Sequence, residues 1–152
     1  MITEAWLIRH SGLMRASYRH WTGRDLIPAA ISEQHAAAFL DQAPFGLVSH
    51  DTAADPVFNY ANRPALQLFE RSWDDFTRLP SRLSAEPVLQ SERGRLLERV
   101  AQQGYIDDYS GVRISGSGRR FRIENATVWN LLDEAGKFYG QAALIRAWRP
   151  LE

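Results

Sequence analysis

The 152-residue chain contains no cysteine. Disulfides, thiolate nucleophiles and thiolate metal sites are therefore excluded, along with the framework on which small secreted domains rely, and stability must come from packing. Lysine is almost as scarce: among 18 basic residues only Lys137 is not arginine. Arginine forks pair well with phosphates, but a genome rich in arginine codons gives the same composition. Net charge is absent too, because 18 acidic residues balance the 18 basic ones. No global field then draws nucleic acid or an anionic membrane, and neither is expected as a partner. No apolar run approaches the ~20 residues of a membrane span, and charge interrupts the first ten residues too early for a signal peptide. A cytoplasmic protein is the expectation, which makes the sequon Asn125-Ala126-Thr127 accidental.

What the chain does have is apolar periodicity. At 45% hydrophobic residues its length suits one core, since two would each bury too little area. Leu7, Met14, Tyr18 and Trp21 recur at helical spacing and predict an amphipathic helix ending near Gly23. Its stripe either packs on its own domain or pairs with the same helix of a second subunit. A second helix is expected over 28–42, with Ile31, His35 and Phe39 on one face and Pro44 forbidding continuation. Residues 45–49 and 56–60 read as strands of a hairpin, and 64–69 as a short helix. Ser72 is placed to cap the helical turn after it. Residues 91–103 form a helix turning Leu96, Leu97 and Val100 inward, with Gly104 ending it. Three strands close the chain, at 105–114, 119–132 and 138–148, separated by turn sequences. The order predicts an α+β fold with a five-stranded antiparallel sheet.

Several segments together resemble the PAS superfamily and, more narrowly, its relative the MEKHLA domain. They are Val48-Ser49-His50-Asp51, Asp55-Pro56-Val57-Phe58-Asn59-Tyr60-Ala61-Asn62, Trp73-Asp74-Asp75-Phe76-Thr77-Arg78-Leu79-Pro80-Ser81-Arg82, Tyr109-Ser110-Gly111-Val112-Arg113 and Phe121-Arg122-Ile123-Glu124-Asn125-Ala126-Thr127-Val128-Trp129. The match runs over 31–148, so residues 1–30 are read as a helical extension and 31–152 as the PAS-like domain, of the stand-alone bacterial type. The resemblance implies a PAS-like sheet with helices on one face and a sensory or interaction role. It does not carry over DNA binding, because the homeodomain of the plant members has no counterpart here. Flavin-binding members that attach the ring covalently use a cysteine, which is missing. Haem-binding PAS domains commonly take an axial histidine from the long helix, and 91–103 has none, so haem is not expected.

Local chemistry is sparse. His50, Asp51 and Asp55 could bind a divalent metal or exchange protons, yet Asp51, Thr52 and Asp55 before Pro56 are also what a turn requires. Asp107 and Asp108 are adjacent on a strand and point to opposite faces, so they cannot act as a carboxylate pair. On the strand at 119–132, alternation puts Phe121, Ile123, Asn125, Thr127, Trp129 and Leu131 on an inner face. Asn125 and Thr127 would then be polar groups among apolar walls, satisfied by neighbouring backbone, by Tyr109, by water or by a ligand. Asn62 can cap the helix that follows it, and Trp73 and Trp129 are core residues.

The expected function is a non-enzymatic sensory or small-molecule-binding module that takes a small apolar or aromatic ligand and signals through a separate partner, with a homodimer expected through the N-terminal helix or a sheet face. Phe58, Tyr60, Tyr109, Asn125, Thr127, Trp129 and Gln141 are its candidate ligand contacts, and no catalytic or metal residue is assigned. Two other readings stay open. One is a homodimeric interaction module with a filled pocket, joined through the N-terminal helix or a sheet face bearing Val112, Ile114 and Val128. The other is a small metal-dependent enzyme using His50, Asp51 and Asp55.

Overall fold

The computed structural model describes residues 2–151, and for residues 87–90 and 93 the backbone alone. Helix α1 spans Glu4–Thr22. The Thr3 hydroxyl accepts the Trp6 N–H at its start, and Gly23 in the left-handed region (φ 71°) returns its N–H to Arg19 at its end. His10, Leu13, Met14 and Tyr18 are buried along one face, flanked by half-buried Leu7 and Trp21. That face lies on the chain's own sheet: the Tyr18 ring meets Trp129 edge-on at 5.0 Å, and the Trp21 indole N–H donates to the Asn130 carbonyl at 2.9 Å.

Helix α2 (Glu33–Asp41) starts five residues later than the sequence pattern predicts, and its buried face is Ala36 and Leu40. Phe39, expected inside, is 39% exposed, and His35 is exposed as well. Residues 28–32 are instead a turn whose Pro28 and Ile31 carbonyls accept from the Arg15 guanidinium at 2.9 and 2.8 Å. With the first turn removed, the helix is phased so that a small alanine faces α1.

The sheet is wholly antiparallel. Its strands are β1 (Gly46–His50), β2 (Phe58–Ala61), β3 (Tyr105–Ile114), β4 (Arg120–Leu132), β5 (Phe138–Ile145) and β6 (Ala147–Pro150). The order is β2-β1-β5-β4-β3, which puts β1 inside the sheet. Strand β6 extends the expected five: it pairs with β4 in the register that β5 begins, Thr127 opposing Leu144 and Glu124 opposing Ala147. Between β2 and β3 run α3 (Arg63–Phe69), α4 (Trp73–Phe76), a 3-10 turn (Ser81–Ser84) and α5 (Pro87–Gln103). Ser72 caps α4 as expected, accepting the Asp75 N–H at 3.1 Å.

Two apolar clusters lie on the two faces of the sheet. One, with Phe58, Phe69, Phe76, Val100 and Val128, is covered by α3, α4 and α5. The other, with Met14, Tyr18, Leu40, Tyr60, Trp129 and Leu131, lies under α1 and α2. Helices thus cover both faces, where the sequence points to one.

Strict alternation fails at four bulges, one of them at Tyr139 of β5, where Leu131 opposes Gly140 but Leu132 opposes Phe138. In β2, Ser49 opposes Tyr60 but His50 opposes Phe58, so Asn59 is extra and Phe58 and Tyr60 belong to opposite faces. In β3 an extra residue lies between Ile106 and Tyr109, and in β4 between Ile123 and Ala126. Asn125 sits in the β4 bulge with φ 51°, exposed, its backbone N–H donating to Ser110 Oγ at 3.2 Å.

Candidate ligand-binding site

The face of the sheet under α5 encloses a cavity of about 50 Å³. On this measure one water needs roughly 10–15 Å³, so the space admits a few waters or a small group. Its walls are apolar: Val48, Phe58, Ile106, Val128 and Ile145 rise from the sheet, and Leu96, Leu97 and Val100 descend from α5. Phe69 of α3 closes one side. The helix periodicity of 91–103 anticipates the α5 contribution.

Besides Ser49, Ser84 and Tyr109, three larger polar side chains enter this lining. His50 is buried at the end of β1, with Nδ1 2.9 Å from the Asp51 carbonyl. A carbonyl only accepts, so Nδ1 carries a proton. Gln141, opposite His50 on β5, donates its amide hydrogens to Leu97 O at 2.9 Å and to Asn130 Oδ1 at 3.1 Å. The buried Asn130 amide in turn donates to the Val100 and Ala101 carbonyls at 3.0 and 3.2 Å. This pair pins the last turns of α5 to the sheet. At the β3 side Arg113, 7% exposed, donates to Val112 O at 2.8 Å and to the Tyr109 hydroxyl, with its guanidinium 5.2 Å from the Tyr109 ring centre. Burial lowers the Arg113 pKa, partly offset by Tyr109 and by Glu92.

The candidate contacts read from the sequence divide. Phe58, Tyr109 and Gln141 line the cavity. Tyr60 and Trp129 lie on the opposite face, under α1, where Tyr60 stacks edge-on with Trp73 at 5.8 Å. Thr127 opposes Leu144 of that same cluster and is buried away from the cavity. Asn125 is exposed. The cause is the β4 bulge: Phe121 and Ile123 before it share a face with Ala126 and Val128 after it, so alternation counted across Asn125 assigns every later residue to the wrong side. Val128, expected on an outer face, is for the same reason a cavity wall.

His50 and Arg113 as cavity-lining residues, and Asn130 as the partner of Gln141 and α5, were not found by sequence reasoning. The signal for Asn130 was a polar residue between Trp129 and Leu131 in a strand otherwise apolar there. Arg113 carried none, being one arginine among many.

The turn cluster does not assemble into a site. Asp51 Oδ1 accepts the Ala53 and Val57 N–H groups at 3.1 and 3.0 Å, and Asp55 pairs with Arg82 at 3.1 Å. Among the described residues no three histidine or acidic side chains are grouped to hold a metal. Asp107 and Asp108 do diverge, toward Arg24 beyond α1 at 3.6 Å and toward Arg99 of α5 at 3.8 Å.

The sheet order, the flanking helices and the buried cavity have the layout of a PAS domain, and the MEKHLA domain family model matches residues 8–150. The chain belongs to the MEKHLA family. Its sequence is 29% identical over 100 residues to homeobox-leucine zipper protein ATHB-9 of Arabidopsis thaliana, covering 64% of this chain but only 12% of that protein. The PAS domain of a Colwellia psychrerythraea protein superposes with a TM-score of 0.62 at 16% identity, over 78% of this chain and 95% of the other. An RNA-binding light-oxygen-voltage receptor gives 0.63 at 17% identity, over 84% of this chain and 34% of the receptor. These structures establish the PAS-like fold of the MEKHLA domain. Among the described residues no helix is long and apolar enough to cross a membrane.

Proposed function

We propose that this MEKHLA domain is a non-enzymatic sensory module that binds a small, partly apolar molecule noncovalently and reports its occupancy to a separate partner. The observation that carries this reading is the cavity beneath α5, whose apolar walls are broken by a few inward polar groups, the pattern of a small-molecule site. Asn130 supplies a route outward. Its side chain holds α5 over the cavity, and its backbone carbonyl accepts the Trp21 indole of α1 on the far face. A ligand that drew Gln141 away from Asn130 would alter both attachments.

Native mass spectrometry of freshly purified protein, with an absorbance spectrum and thermal-shift screening of metabolite classes, tests the reading. A retained small molecule, or stabilisation by one chemical class, is expected. A mass equal to that of the bare chain together with no stabilisation by any class would remove it.

A homodimeric interaction module is the second reading. It is favoured by Trp148 of β6, 39% exposed beside half-buried Leu68 and exposed Pro150. A monomer by light scattering at micromolar concentration would count against it.

A further inference from the structure

Arg113 is a buried cation with no carboxylate in direct ion-pair contact, Glu92 acting on it only from across the neighbouring cleft. Among the described residues no acidic side chain lies within ion-pair distance of it, although ten such pairs form elsewhere. Burying a charge is costly unless it is paired, and here the pairing is a backbone carbonyl and a phenol. Two of the five guanidinium N–H groups are occupied in this way. The Tyr109 hydroxyl accepts from Arg113, so its own hydrogen remains to be donated.

The location of the pair gives this shortage a direction. Arg113, Tyr109 and Leu96 line both the inner cavity and a surface cleft bordered by Glu92, Ser110 and Arg122. The pair therefore stands between interior and solvent. Gly111 lets the tyrosine lie there: a Cβ at that position would come within 2.5 Å of the Tyr109 hydroxyl and 3.5 Å of an Arg113 nitrogen. The donors thus converge at the mouth of an apolar chamber.

We propose that the ligand is a small organic carboxylate with an apolar body, its carboxylate received by Arg113 and Tyr109 and its body directed toward Val128 and Leu97. This rests on the ligand-binding reading above and names the chemical class. A carboxylate supplies the direct contact that Glu92 does not make, in the bidentate geometry that a guanidinium fork favours. A neutral isostere of the same shape would leave the buried cation unpaired.

Calorimetric titration with propionate and butyrate, whose short alkyl bodies suit the cavity, each against its neutral amide, tests the assignment. The acid is expected to bind at least tenfold more tightly than its amide. Arg113→Gln should abolish that preference, Arg113→Lys should keep part of it, and Arg122→Gln in the outer cleft should leave it intact. Circular dichroism melts establish that each variant is folded. If Arg113→Gln does not fold, the acid-against-amide comparison on the unaltered protein still decides. Equal affinity for acid and amide, or no binding of either, overturns the proposal. A neutral molecule retained in native mass spectrometry would likewise overturn it while leaving the ligand-binding function standing.

Discussion

His10 and Ser49 stand 2.8 Å apart in the interior, the separation of a base and the nucleophile it activates. Proton bookkeeping rules out that role. The Ser49 hydroxyl donates to Asn59 Oδ1 at 2.5 Å, so its oxygen accepts from His10 Nε2–H and the imidazole has no lone pair turned toward the serine. Nδ1 is left buried without a hydrogen-bond partner among the described residues. The ring lies flat on Trp6 at 4.5 Å, joining α1 to β1 and β2 as a neutral wedge. Burial, and then the charge of Arg9, push its pKa down to about 4. The unfolded chain, near 6.5, therefore binds a proton that the folded chain refuses between about pH 6.5 and 4. Stability contributed by the neutral ring is complete above pH 6.5, falls as the pH is lowered through that window, and levels off below 4. Urea unfolding at pH 7 and pH 5 should show a loss of about 2 kcal/mol beyond that of a His10→Gln variant. Identical pH dependence in the two proteins would mean that the ring is solvated. Asn62 was legible at this scale only in part. It caps α3 as its position before Arg63-Pro64 implies, accepting the Ala65 N–H at 3.2 Å. It also holds Leu47 N–H and the Leu40 and Phe45 carbonyls, each at 2.9 Å, which no local pattern records.

At the scale of elements, helices, caps and five of the six strands could be read from the sequence because each follows from spacing within a few residues. Which face a strand residue occupies could not, because one bulge inverts everything beyond it. Glu124-Asn125-Ala126 looks like uninterrupted strand, and asparagine's tolerance of the left-handed region was the one local clue. This explains how Phe58, Tyr109 and Gln141 were placed on the cavity while Thr127 and Trp129, read from the same strand logic, were not. The left-handed backbone of Asn125 makes a specific demand on its side chain. Glycine meets it without strain, whereas a β-branched residue there costs about 1–3 kcal/mol. Asn125→Gly should therefore unfold at the same denaturant concentration as the parent or a higher one, and Asn125→Val at a distinctly lower one. If valine were tolerated as well as glycine, the bulge would not be fixing the register of β4. The Arg113 and Asn130 contributions were invisible for a related reason: both depend on β3 and β4 meeting α5, elements brought together by the sheet rather than by proximity in the chain.

For the whole molecule, the decisive fact is that the sheet has two covered faces. The proposed binding site needs only the α5 side, yet Trp129, Leu131, Leu144 and Tyr60 on the other side require a lid of their own. Helix α1 provides it, with Met14 and Tyr18 almost wholly buried and Ser17 Oγ accepting the Leu132 N–H at 2.9 Å. Truncating a buried methionine costs about 2–5 kcal/mol and a large aromatic about 3–5. Together these approach the ~5–15 kcal/mol that stabilises a typical domain. Met14→Ala should accordingly lower the urea midpoint by an amount independent of protein concentration, and a chain lacking residues 1–24 should lose cooperative unfolding. The competing arrangement, in which the stripe pairs with the same helix of a second subunit, makes the opposite forecast. The Met14→Ala effect would then grow on dilution, by mass action, and the shortened chain would remain a folded monomer. Urea titrations at two protein concentrations separated by a hundredfold distinguish them. A concentration-dependent midpoint would remove α1 from the core and return it to an interface.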